Sequence, residues 1–180
     1  MHKLGRLFRS FINANTKISH WFDSLLPAKY RIEGYQDVLH SVIPKYVRDD
    51  WVVYDIGGGK NPYVTIDMKS KLNLHIIGVD INENELNTAP LGVYDKKIVA
   101  DITKYEGTCD GDLAVCLAVL EHVQNVEAAL RGINSCLKRG GLCVIFVPSK
   151  NAIYAKINRI LPQDLKKKIL FSIFPNCCVG

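Results

Sequence analysis

The chain has 180 residues, 48% of them apolar and 23% charged, which excludes global disorder and sets one domain-sized core as the expectation. No apolar run approaches the roughly 18 residues a membrane-spanning helix needs, and no secretory leader is visible. The six cysteines (Cys109, Cys116, Cys136, Cys143, Cys177 and Cys178) show neither a Cys-x-x-Cys pair nor metal-ligand spacing, so reduced thiols and a cytoplasmic setting are expected. The formal charge of +5 is uneven: residues 1–50 carry 8 basic and 5 acidic side chains, residues 51–149 carry 9 and 12, and residues 150–180 carry 6 and 1. A mildly acidic middle between basic flanks bears on partners rather than on fold.

In chain order, Leu4, Leu7, Phe8, Phe11 and Ile12 follow helical spacing with Lys3, Arg6, Arg9 and Asn13 opposite, a basic amphipathic helix. Such a face suits packing on a domain and docking at a membrane surface alike. Trp21-Phe22 and Leu25-Leu26 lead to a break at Pro27. Aromatics and charges then alternate through Tyr30, Arg31, Glu33 and Tyr35, and a short helix is expected from Asp37 to Ile43, stopping before Pro44.

The stretch that organises the chain is Trp51-Val52-Val53-Tyr54-Asp55-Ile56-Gly57-Gly58-Gly59-Lys60-Asn61. It reads as a buried strand delivering a tight turn, whose glycines allow positive φ and close approach of a ligand. A dinucleotide fingerprint needs a third glycine where Pro62 stands, and a P-loop needs Gly-Lys-Ser/Thr, which Lys60-Asn61 does not supply. What remains is an acid two positions before the first glycine, Asp55-x-Gly57-x-Gly59. This pattern resembles motif I of the class I S-adenosylmethionine-dependent methyltransferases, with Asn61 in place of the usual last glycine. The resemblance implies that Asp55 helps hold the amino end of the cofactor's methionine part, and that Gly57, Gly58 and Gly59 pass close to it.

From Asn61 to Leu72 the chain is a poor helix by propensity, with Pro62 suited to a first turn. Leu74 to Val79 is a second strand ending in Asp80, where an acid can accept both hydroxyls of a ribose. Asp80 matches motif II of the family; an N-cap for a helix from Glu83 to Asn87 is the simpler alternative. Lys97 to Ala100 is a third strand, followed by Asp101-Ile102. The resemblance implies that Asp101 binds the adenine amino group and that the Ile102 N–H meets a ring nitrogen; Ile81, after Asp80, joins the same cofactor site.

Asp112 to Leu120 is a fourth strand, apolar on both faces, with Cys116 inside it as a small hydrophobe. It runs into Leu120-Glu121-His122-Val123, which is similar to a signature of ubiquinone-type and related small-molecule methyltransferases. The resemblance places His122 towards the acceptor, as a candidate base or as an anchor for a helix start. Relatives that bind metal through Glu-x-x-Glu-His differ at the first position, which here is Ala118, so no metal site is expected. Pre-sheet helices of such enzymes cover the cofactor, which makes Tyr30, Arg31 and Tyr35 candidate acceptor contacts.

A helix from Asn125 to Lys138, with Val126, Ala129, Leu130, Ile133 and Leu137 on one face, is expected to close at Gly140-Gly141. Leu142 to Val147 is the fifth strand and holds Cys143. Strand and helix alternating in this way predict an α/β fold with a doubly wound, mostly parallel sheet. The family normally adds a sixth strand and an antiparallel seventh; Asn151–Leu161 and Gln163–Phe174 read instead as helical stretches, leaving five strands. The expected organisation is an N-terminal helical cap over 1–50, an S-adenosylmethionine-binding domain over 51–149 and a basic helical extension over 150–180. The expected function is methyl transfer from S-adenosyl-L-methionine to a small-molecule, glycan or lipid-linked acceptor, with peripheral membrane contact through the basic flanks. A non-catalytic S-adenosylmethionine-binding scaffold is the alternative. No nucleic-acid partner is expected, because no base-stacking aromatics interleave the basic residues.

Overall fold

The computed structural model describes residues 33–148 throughout and, outside them, Ser10, Asn13, Ala14, Thr16, Lys17, His20, Trp21, Ser24, Leu25, Pro27 and Pro162. The chain divides into two compact units, one of Met1–Ile32 with Ser149–Gly180 and one of Glu33–Pro148. In the first, the described residues from Ser10 to Leu25 are helical, and the Ser24 hydroxyl donates to the Trp21 carbonyl at 2.6 Å. The expected basic helix over residues 3–12, Tyr30, Arg31 and the expected helices after Ser149 lie outside the described residues. Among the described residues no helix is long and apolar enough to cross a membrane.

The second unit holds a five-stranded, wholly parallel sheet: β1 (Val52–Ile56), β2 (His75–Asp80), β3 (Lys96–Val99), β4 (Gly111–Leu117) and β5 (Leu137–Phe146), in the spatial order β3-β2-β1-β4-β5. Helices α1 (Gly34–Asp37) and α2 (Ile43–Tyr46) precede β1; α3 (Ile66–Leu72), α4 (Glu83–Asn87) and α5 (Val126–Cys136) lie in the crossovers. This is the doubly wound order, with its reversal between β1 and β4.

The period-two alternation of a strand divides the interior into two cores. Val53 in β1 and Leu113, Val115 and Leu117 in β4 face Ile43, Val47, Val64 and Leu86. Tyr54, Ile56, Ala114 and Cys116 face Ala129, Ile133 and Cys136 of α5. Each fully buried Val, Leu or Ile contributes about 1.5–3 kcal/mol, so the central strands are apolar on both faces because both are covered.

Caps explain the helix starts. Asn125 Oδ1 accepts the Ala128 N–H at 2.9 Å, Thr65 Oγ1 accepts from Met68 at 3.2 Å, and Asn82 Oδ1 accepts from Asn84 at 3.0 Å. Asn73, left-handed at φ 50°, closes α3.

Four sequence expectations need correction. The helix after the glycine turn begins at Ile66 rather than at Asn61, and Pro62 lies in the preceding turn. The helix before β1 does not stop ahead of Pro44: α1 passes through a π-helical stretch, Val38–Val42, into α2, where Pro44 sits in the first turn. A proline removes one backbone bond and crowds the turn before it, and the wider π turn lies immediately upstream. The stripe of α5 that faces the core is Ala129, Gly132, Ile133 and Cys136, whereas Val126 and Leu130 are each 42% exposed. Finally, Gly140-Gly141 does not close α5. The chain passes straight from Cys136 into β5, and the glycine pair lies in a bulge where β4 advances from Gly111 to Leu113 while β5 advances from Leu137 to Leu142. Of the cysteines described, Cys116 and Cys136 are buried, Cys109 and Cys143 are exposed, and all four are free thiols.

Candidate active site

The site grows from the place where β1 and β4 part. Ile56 and Cys116 are the last residues these strands pair. Beyond that pair, the Gly57 N–H bonds the Val79 carbonyl of β2 at 2.8 Å, and the Ala118 N–H, two residues past Cys116, bonds the Phe146 carbonyl of β5 at 2.9 Å. Gly57 and Gly59 have positive φ, 76° and 50°. A Cβ at Gly57 would stand 2.3 Å from a Val119 methyl, and one at Gly58 would stand 2.1 Å from Asp55 Oδ1. Nothing larger than glycine fits either position.

Asp55 is fully buried beneath this turn. Its Oδ2 accepts the Tyr63 N–H at 2.8 Å, and its Oδ1 is, among the described residues, a buried oxygen without a hydrogen-bond partner. Burial pushes its carboxyl up from 3.8 to about 7, with the Tyr63 N–H pulling the other way and Asp80 adding to the rise. Two tyrosines hold the turn from below: the Tyr63 hydroxyl reaches the Gly57 carbonyl at 3.1 Å, and the Tyr94 hydroxyl donates to the Gly59 carbonyl at 3.0 Å.

Asp80, at the end of β2, receives the Asn82 N–H on Oδ1 at 2.8 Å; its Oδ2 lies 3.1 Å from the point where a Cβ of Gly59 would be. The helix cap is therefore Asn82, and Asp80 keeps an oxygen facing the glycine turn. Asp101, just past β3, accepts both the Thr103 N–H (2.9 Å) and the Thr103 hydroxyl (2.7 Å) on Oδ1. Those bonds hold its carboxyl below the ordinary range, and Oδ2 has Lys104 Nζ 3.9 Å away.

A cleft of about 630 Å³ opens over these strand ends. Of the sequence candidates, Gly57, Asp80, Ile81, Asp101, Ile102 and His122 line it, while Asp55, Gly58 and Gly59 do not. His122 is exposed, with its N–H donating to the Val119 carbonyl at 2.9 Å. Tyr35 is not on the cleft wall; its ring meets Phe146 edge-on at 5.9 Å. Ala118, Val119, Val123 and Thr103 are walls that sequence reasoning passed over. Tyr63 and Tyr94 were also missed, because their roles arise from contacts distant in sequence. Among the described residues, no group of three or more His, Cys, Asp and Glu side chains is placed to hold a metal ion.

A family model described as "Methyltransferase domain" matches residues 28–170. The chain belongs to the class I S-adenosylmethionine-dependent methyltransferases. It is 25% identical over 128 residues to a ubiquinone biosynthesis O-methyltransferase of Colwellia psychrerythraea, an alignment covering 67% of this chain and 51% of that protein. The chain thus spans about half the length of that relative. Among solved structures, a putative S-adenosylmethionine-dependent methyltransferase from Methanococcus maripaludis superposes with a TM-score of 0.54 at 18% identity, covering 78% of this chain and 75% of that one. Phosphoethanolamine N-methyltransferase 2 of Haemonchus contortus superposes with a TM-score of 0.55 at 17% identity, covering 74% and 35%. These likenesses establish the methyltransferase fold. The cofactor of this methyltransferase family suits the residues present: a glycine cradle that a Cβ would fill, an unpartnered buried carboxylate oxygen behind it, and two further carboxylates at successive strand ends.

Proposed function

We propose that this chain binds S-adenosylmethionine across the ends of β3, β2 and β1 and transfers its methyl group to a small-molecule acceptor beyond β4. One observation carries the reading. The sheet order brings Asp101, Asp80, the glycine turn and His122 into one line along a single cleft, although they are dispersed from residue 57 to residue 122. On this reading Asp101 Oδ2 accepts from the adenine amino group and Asp80 Oδ2 from the ribose hydroxyls, since the Oδ1 atoms are already engaged by Thr103 and Asn82. When bound, the cofactor supplies an electrophilic sulfonium methyl. The chain's own contribution is alignment of donor and acceptor, with the His122 imidazole as receiver of the proton an oxygen or nitrogen acceptor gives up.

Calorimetry with S-adenosylmethionine and with NAD tests this. S-adenosylmethionine is expected to bind and NAD not to, and Asp80→Ala is expected to weaken binding by about 1.5–3 kcal/mol, the range for a hydrogen bond to a charged group. Unchanged affinity in that variant removes Asp80 from the ribose site. Binding without turnover on any acceptor favours the non-catalytic scaffold.

For the acceptor we propose an anionic small molecule, such as a phosphorylated or lipid-linked glycan intermediate. The support is the charge split, with an acidic sheet region between flanks rich in Lys3, Arg6 and Arg9 and in Lys166, Lys167 and Lys168. Each basic residue near an anionic leaflet contributes about 1 kcal/mol, so docking is expected to be weak and salt-sensitive. The protein should co-sediment with anionic vesicles at low salt and be released at high salt. If it stays in the supernatant with both anionic and neutral vesicles, the membrane version fails and a soluble acceptor remains.

A further inference from the structure

The parting of β1 and β4 leaves two main-chain carbonyls with no strand partner across the opening. Beyond the Ile56–Cys116 pair, Gly57 keeps its bond to β2 and Ala118 its bond to β5, so each strand stays tied to its outer neighbour and neither to the other. The Tyr63 hydroxyl stands in that gap. It lies 2.6 Å from the Leu117 carbonyl and 3.1 Å from the Gly57 carbonyl, a shared donation that bridges the two strand ends. Its ring is buried in the core with Val115 and Leu117, and its own N–H is fixed on Asp55. The residue is thus held at both ends, its main chain by Asp55 and its hydroxyl by the carbonyls of Leu117 and of Gly57, which lines the cleft.

We propose that Tyr63 is a positioning residue, whose hydroxyl sets the separation of the β1 and β4 ends and so the shape of the cleft between the glycine turn and Ala118. It rests on the cleft being the cofactor site, but its structural half is independent of any ligand. Burial keeps the phenol protonated throughout the working pH range, so the bridge does not switch with pH. Tyr94 plays a different part, donating to the Gly59 carbonyl and lying against the Asp55 carboxyl.

Tyr54 provides the control. Its ring is likewise buried, in β1, but its hydroxyl, half-buried, bonds Thr108 and Asp110 ahead of β4, away from the cleft. Tyr63→Phe and Tyr54→Phe each delete one hydrogen-bonded hydroxyl and leave the ring. In the full chain without ligand, hydrogen exchange is expected to quicken at least about tenfold over residues 57–61 and 117–119 in Tyr63→Phe and to stay unchanged there in Tyr54→Phe. S-adenosylmethionine affinity is expected to fall about fivefold to tenfold in the first variant alone, the size of one lost hydrogen bond. Tyr94→Phe should quicken exchange at residues 59–61 only. Equal affinity losses in Tyr63→Phe and Tyr54→Phe, or unchanged exchange in Tyr63→Phe, overturn the proposal. So does loss of the cooperative unfolding transition in Tyr63→Phe, which would assign the hydroxyl to folding. If the wild-type protein does not bind S-adenosylmethionine, the cofactor reading fails, and the exchange comparison alone decides whether Tyr63 sets the strand ends.

Discussion

Gly132→Ala is expected to destabilise the protein by about 2–3 kcal/mol and to weaken cofactor binding, although alanine is the better helix former. In an exposed helix interior the same change would stabilise by about 0.8–1 kcal/mol. Here the added Cβ would stand 2.0 Å from the Ile102 carbonyl oxygen and 3.3 Å from that of Tyr105. Both are backbone atoms, so no side chain can swing away; either α5 or the loop must move, and overpacking of this kind outweighs the propensity gain. The loop that gives way carries Asp101 and Ile102 on the cleft wall. Stability and binding should therefore fall together. A denaturant titration showing Gly132→Ala as stable as the parent, or more so, would refute the close packing of α5 on this loop.

The acids and glycines of the cleft were legible in the sequence because each stands at a strand end, and strand ends show as apolar runs that stop. The ends of the strands before Asp80 and Asp101 could be read from apolar runs and their order, while the part assigned to each acid came from the resemblance to the methyltransferase motifs. Tyr63 and Tyr94 gave no such sign. The Tyr63 hydroxyl finds Leu117 across 54 residues and the Tyr94 hydroxyl finds Gly59 across 35, and periodicity carries no information at that range. Gly140-Gly141 misled for a related reason. A glycine pair after a helix signals a left-handed stop when the chain turns away, but Leu137 is already extended at φ −91°, ψ 136°, so the glycines act later, inside the strand. Pro44 shows the limit of local rules from the other side, since a change of helical hand-off upstream let the chain continue through it. The stripe on α5 turned towards Gly132 and Cys136: Gly132 faces the core because backbone packs there, and an apolar scale does not register it.

The largest pH effect should come from Asp55. With no ligand, its native carboxyl titrates at about 7, against an ordinary 3.8. Between those values the folded protein holds a proton that the unfolded chain has released. The unfolded state thus binds fewer protons, and stability is expected to fall as pH rises from about 4 to about 7, then to level off once the native carboxyl is ionised too. At about 1.4 kcal/mol per unit the whole effect is at most roughly 4 kcal/mol. Asp55→Asn removes this ionisation while keeping the shape and an oxygen for the Tyr63 N–H. Its amide NH2 would then lie below Gly58 without a partner, at a cost of about 1–3 kcal/mol. That cost is the same at every pH, so it displaces the stability curve without tilting it. The informative quantity is therefore the difference between variant and parent, measured by urea unfolding at pH 4.5, 6 and 7.5: Asp55→Asn should gain on the parent steadily across the series. Parallel profiles would show that Asp55 is ionised in the folded protein throughout. A cation seated over the glycine turn favours the carboxylate, so S-adenosylmethionine affinity should rise with pH over the same window in the parent and lose that dependence in Asp55→Asn.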